Sequence, residues 1–137
     1  MNLLRTYIKR ESNLYSNLKV LLVEDEALTA MYMQKELKRE GFTITRTVST
    51  GENAISTALL EKPDLILMDI LLGGDIDGIE AASTIQSSNE IPIIFTSGYD
   101  TQALLKRASV IKPHIFLIKP IEITELTSVM KSLLINS

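Results

Sequence analysis

Five side chains suited to charge-driven group transfer stand at the ends of short apolar runs. Glu24 and Asp25 follow Lys19–Val23 (KVLLV), and Asp69 follows Leu65-Ile66-Leu67-Met68. Thr96 follows Ile91–Phe95 (IPIIF), and Lys119 follows Ile115–Ile118 (IFLI). Runs this short and this apolar read as strands buried on both faces, the kind found in parallel sheets. If the sheet is parallel, all five groups lie along one edge, where open α/β sheets bind their ligands. Three carboxylates gathered there repel one another unless a cation sits among them. A hard divalent ion with oxygen ligands answers that, and Mg2+ suits a few carboxylates plus a phosphate. A carboxylate can also attack phosphorus and carry the phosphoryl group as an acyl phosphate. Such a transfer needs charge neutralisation more than proton chemistry. Mg2+, the Lys119 ammonium and the Thr96 hydroxyl would supply it. The spacing points to phosphoryl transfer onto a protein carboxylate.

The elements that must position these groups alternate along the chain. After the first strand, Leu28, Met31, Tyr32 and Leu37 mark a helix to about Glu40, with Gly41 as its stop. Phe42–Val48 alternates apolar and polar residues and predicts an edge strand exposed on one face. Ser49-Thr50-Gly51 turns the chain into a helix through Ala54, Ile55, Ala58 and Leu59, stopped by Pro63. A Pro-Asp turn opens the Asp69 strand, and a loop rich in Gly and Asp, Gly73–Gly78, follows it. Ile79, Ala82 and Ile85 predict a third helix, Ala103, Leu104 and Ala108 a short fourth, and Ile123 to Leu134 a final amphipathic one. Five strands alternating with five helices call for a parallel sheet covered on both faces, with right-handed crossovers.

The totals narrow the function classes. With 137 residues, 45% apolar and 23% charged, the chain can bury one real core. A net charge of −3 argues against a nucleic-acid-binding domain. The chain has no cysteine, which excludes disulfides, a thiolate metal site and a cysteine nucleophile. Nothing in the sequence predicts a membrane span or a signal peptide, and a cytoplasmic location is expected. Residues 1–18 stand apart as an N-terminal extension to a domain over residues 19–137. Leu4, Tyr7, Ile8, Leu14, Tyr15 and Leu18 recur there at helical spacing. A loosely docked tail, a helix packed on the body and a helix pairing with a second copy as a homodimer all remain open for it.

The ordered set of motifs resembles the receiver domain of response regulators, the phosphoacceptor module of two-component signalling. It is carried by VLLVEDE at Val20–Glu26, DLILMDI at Asp64–Ile70, DGIEAA at Asp77–Ala82, IPIIFTSG at Ile91–Gly98 and FLIKP at Phe116–Pro120. The resemblance implies a flavodoxin-like (βα)5 fold, a doubly wound parallel sheet of strand order 2-1-3-4-5. It implies that Asp69 is the phosphoacceptor, and that Glu24, Asp25, Asp69 and the backbone carbonyl of Leu71 hold Mg2+. It further implies Thr96 as the switch hydroxyl, Lys119 as the phosphate-pairing lysine, often before a cis proline, and Phe116 as the switch aromatic. The implied donor is a sensor histidine kinase or phosphotransfer protein. The implied reader is a downstream protein at the face of the fourth helix, fifth strand and fifth helix. No output domain follows Leu134, so the signal is expected to leave by protein contact, without nucleic acid or membrane.

The chain departs from the family at Leu71–Gly78, where the usual Met-Pro before Asp-Gly is missing and one residue is added. This loop is expected to be less rigid. Competing readings stand beside the leading one. The chain could be a receiver fragment of a hybrid kinase or larger regulator, or a pseudo-receiver that no longer takes phosphate. It could also be a Toprim-type metal enzyme using Asp75-x-Asp77. More plainly, Asp75 and Asp77 read as caps of the next helix, and His114 as a solvated loop residue.

Overall fold

Three apolar runs become strands with every residue buried: β1 (Val20–Val23), β3 (Leu65–Asp69) and β4 (Ile93–Ser97). They form the middle of the sheet. Its flanks are β2 (Ile44–Val48) and β5 (His114–Ile118), giving the order β2-β1-β3-β4-β5. All four pairings are parallel. The computed structural model describes residue 3 and residues 15–135. The N-terminal extension, for which the sequence leaves a tail and a helix both open, lies almost wholly outside the described residues.

Among the described residues five helices alternate with the strands: α1 (Ala27–Arg39), α2 (Gly51–Glu61), α3 (Gly78–Gln86), α4 (Gln102–Ala108) and α5 (Ile123–Ile135). Local chemistry sets several starts. Thr50 Oγ1 accepts the Asn53 amide at 3.1 Å to open α2, and Thr101 Oγ1 accepts the Leu104 amide at 3.3 Å to open α4. At α3, Asp77 Oδ1 accepts the Glu80 amide at 2.9 Å while Glu80 Oε1 accepts the Asp77 amide at 3.2 Å, a reciprocal capping box. Asp77 Oδ2 also accepts from Arg107 at 2.7 Å, tying α4 to the start of α3. Asp77→Ala is expected to cost about 1 kcal/mol through the lost cap. The partly exposed ion pair adds little to that. Chemical denaturation of the variant checks the figure, and Asp77→Asn, which keeps a capping oxygen, should recover most of it.

Alternate strand residues feed two cores, one on each face. Leu21, Val23, Ile66, Met68, Ile93 and Phe95 pack with α2, α3 and α4. Val20, Leu22, Leu65, Leu67 and Ile94 pack with α1 and α5. Tyr15 and Leu18 join the second core, where the Tyr15 ring stacks on Phe42 at 5.0 Å.

β2 begins at Ile44 rather than Phe42, and β4 and β5 also differ from the sequence reading. β4 is displaced toward Thr96 and Ser97, because these pair with Leu117 and Ile118 of β5, while Pro92 only lends its carbonyl to the Ile66 amide. β5 is half-exposed, with Ile118 at 42%, because it is the last strand of the sheet and an apolar run alone does not tell centre from edge. His114 is also not a solvated loop residue. It begins β5, half-buried, with Nδ1 2.6 Å from the Ile111 carbonyl oxygen and its ring tilted against Phe95.

Candidate functional site

The parallel register assembles the site. Val23 pairs with Met68, so the next residues, Glu24 and Asp69, emerge side by side from β1 and β3. Asp69 itself pairs with Thr96 of β4. Ser97 pairs with Ile118, and the Lys119 amide then donates to the Ser97 carbonyl at 2.8 Å, which brings Lys119 to the same edge. The Lys119–Pro120 bond is cis, as the resemblance implies, and Lys112–Pro113 is cis as well.

Carboxylate oxygens of Glu24, Asp25 and Asp69 all lie within 4.8 Å of one another. Glu24 and Asp69 are buried and Asp25 is exposed, so the cluster opens to solvent on one side. Lys119 Nζ donates to Asp69 Oδ2 at 3.2 Å and to Glu24 Oε1 at 3.4 Å. Burial pushes the Glu24 carboxyl above the usual carboxylate range, and the neighbouring Asp69 adds to the rise. Burial alone would lower the Lys119 ammonium, but Asp69 and then Glu24 outweigh it, and its pKa rises. Lys119 is therefore a fixed positive charge. One ammonium offsets part of three converging carboxylates, and the arrangement favours a further cation. An all-oxygen set of carboxylates suits a hard divalent ion.

Thr96 is buried next to Asp69 and borders a cavity of about 350 Å3 that also reaches Glu24, Lys119, Tyr32 and Ile121. Leu71, two residues past Asp69, enters the following loop and is 56% exposed. Phe116 pairs with Phe95 across β4 and β5 and packs half-buried against the first core. Glu24, Asp25, Asp69, Thr96 and Lys119 thus gather at one edge.

Asp75 and Asp77 play other parts. Asp77 is spent on the α3 cap and Arg107, and the Asp75 amide donates to Glu52 Oε1 at 3.2 Å. The loop after β3 is tied down rather than loose. Its Asp75 and Ile76 amides both reach Glu52 Oε1 at 3.2 Å, and Gly73 bridges Thr50 in a strand-like contact. Sequence reasoning missed Glu52. Its position in the first turn of α2 reads only as an acid favoured by the helix dipole.

Comparison with known proteins agrees with this fold. Residues 20–131 match the response regulator receiver domain, and the chain belongs to that family. It is 37% identical over 108 residues to the transcriptional regulatory protein PdtaR of Mycobacterium tuberculosis, covering 79% of this chain and 52% of that protein. The chain thus spans about half the length of that relative. Among solved structures it resembles the signal receiver domain of a modulated diguanylate cyclase from Desulfovibrio desulfuricans. That match has a TM-score of 0.79 and 29% identity, covering 87% of this chain and 94% of that one. It also resembles a chain of the CheX-CheY-BeF3-Mg+2 complex from Borrelia burgdorferi, with a TM-score of 0.77 and 25% identity, covering 85% and 88%. The protein is a receiver domain of two-component signalling. No described helix is long and apolar enough to cross a membrane.

Proposed function

We propose that Asp69 accepts a phosphoryl group in a Mg2+-dependent step. The convergence of Glu24, Asp25 and Asp69 within 4.8 Å, with Lys119 against two of them, carries this reading. Glu24, Asp25, Asp69 and the Leu71 carbonyl would hold the ion. Bound there, Mg2+ would lower the electrostatic cost of bringing a phosphoryl group to a carboxylate.

The donor is a phosphohistidine on a sensor kinase or phosphotransfer protein. A carboxylate oxygen of Asp69 attacks phosphorus, the phosphorus–imidazole bond breaks, and its electron pair returns to the ring. Lys119 then exchanges its bond to Asp69 for one to a phosphoryl oxygen. Thr96, beside Asp69 in register, donates its hydroxyl to another. Phe116, which has no hydroxyl, follows by repacking. Phosphorylation thereby biases two arrangements of the face built from α4, β5 and α5. Leu105 and Ile118, each 42% exposed, give that face apolar contacts for a downstream protein. Leu28, Met31 and Tyr32, exposed on α1, offer the donor protein a seat beside the acidic cluster.

On this reading the chain is an acceptor that promotes its own phosphorylation and dephosphorylation, not an enzyme with a separate substrate. It works in the cytoplasm, with residues 19–137 as the receiver and residues 1–18 as its extension. The relation to PdtaR and the intact acceptor set speak against a pseudo-receiver, whose mark is a lost acid, threonine or lysine.

The test is intact mass after incubation with acetyl phosphate, with Mg2+ and with the metal chelated. One phosphoryl adduct that needs Mg2+ supports the reading, and no adduct from acetyl phosphate or a phosphorylated kinase refutes it. Lys119→Ala should leave Mg2+ binding largely in place while blunting the conformational response to phosphorylation. Calorimetry and chemical-shift changes on phosphorylation would read the two effects, and an undiminished response would contradict the role given to Lys119.

A further inference from the structure

We infer that Glu52 is a positioning residue for the metal site, acting through the loop that carries the Leu71 carbonyl. This role presupposes the Mg2+ reading of Glu24, Asp25 and Asp69.

The chain leaves Asp69 and returns at Asp77 through Ile70–Ile76, a stretch with two adjacent glycines and no proline. Left to itself such a backbone samples many conformations, and fixing it costs conformational entropy. A backbone carbonyl binds an ion more tightly when that cost has been met before the ion arrives. The near end of the loop is held by the sheet. The Ile70 amide donates to the Thr96 carbonyl at 3.0 Å, and the Ile70 carbonyl accepts from the Gly78 amide at 2.8 Å.

The far end is held by α2. Glu52 Oε1 accepts both the Asp75 and Ile76 amides at 3.2 Å. Bonds from neutral amides to a carboxylate are stronger than neutral pairs. Gly74 lies against the same carboxylate with φ of +94°, and a Cβ there would fall 2.6 Å from Oε2. A side chain at that φ would be strained, which favours glycine there. Gly73 bridges Thr50, and Ile76 sits so close over Gly51 that a Cβ on Gly51 would meet it at 2.7 Å. Leu71 and Leu72 lie between the two sets of ties. An acid at position 52 would favour the start of α2 whatever the loop did. That effect does not bring two amides of another loop onto one of its oxygens.

The experiment compares wild type, Glu52→Ala and Glu52→Gln. It measures Mg2+ binding by calorimetry, hydrogen exchange at the Asp75 and Ile76 amides, melting temperature, and phosphorylation by acetyl phosphate across Mg2+ concentrations. In Glu52→Ala, both amides should exchange faster and the Mg2+ dissociation constant should rise on the order of tenfold, as when a group supporting a metal ligand is lost. The phosphorylation rate should recover at saturating Mg2+, and the melting temperature should fall by only a few degrees, as expected for partly exposed bonds and a helix-start acid. Glu52→Gln keeps an acceptor oxygen and should regain most of the affinity. Wild-type Mg2+ affinity in Glu52→Ala overturns the role of Glu52 while leaving the metal reading intact. Wild type that binds no Mg2+ overturns both.

Discussion

Replacing Asp69 by asparagine is expected to abolish the Mg2+-dependent phosphoryl adduct while leaving the fold in place. The two side chains are nearly isosteric, and Asp69 is 5% exposed, so size matters as much as charge. An amide oxygen is a far poorer nucleophile toward phosphorus than a carboxylate, and no acyl phosphate can form on it. The substitution also removes one of three like charges converging within 4.8 Å. Metal-free Asp69→Asn should therefore melt no lower than wild type despite losing a bond to Lys119. Intact mass and thermal denaturation on one preparation decide the matter. An adduct retained at the wild-type level would place the acceptor elsewhere, and a collapsed melting transition would mean that Asp69 holds the fold rather than the phosphate.

The second large effect comes from a residue with no side chain. A Cβ on Gly78 would lie 2.2 Å from the Asp69 carbonyl oxygen and 2.9 Å from Met68 Cγ. The Gly78 amide donates to the Ile70 carbonyl at 2.8 Å, so the start of α3 cannot move off without breaking that bond. Gly78→Ala should therefore cost about 3 kcal/mol, the upper end of ordinary overpacking. For a domain of this size that corresponds to a melting temperature lower by about 10 °C. The displaced backbone is that of Asp69 itself, so phosphorylation of the folded fraction should slow as well. Gly73→Ala is the control. Nothing lies within 4 Å of its Cβ, and it should stay within about 0.5 kcal/mol of wild type. Equal melting temperatures for the two variants would show that the close packing of α3 on β3 is not maintained in solution.

The sequence by itself determined the order and type of the elements, because each is specified by neighbours in the chain. Leu65–Met68 is an unbroken apolar run, and it became a fully buried strand. Asp77 and Glu80 stand three apart, as a capping box requires, and they form one. Acids, a hydroxyl and an ammonium each at the end of an apolar run marked Glu24, Asp25, Asp69, Thr96 and Lys119, since a parallel sheet delivers strand ends to one edge whatever its connections. Tertiary structure decided what depends on partners distant in the chain. Which apolar strand lies at the edge follows from sheet order, so the exposure of β5 could not be read from IFLI. His114 is half-buried because β5 begins one residue earlier than its apolar run. The loop after Asp69 looked loose because Gly73-Gly74 lacks a proline, yet its restraint comes from Glu52, more than twenty residues away. Backbone amides in a loop carry no sequence signature of the acceptor they will find. Only the folded chain, by setting the first turn of α2 beside that loop, supplies one.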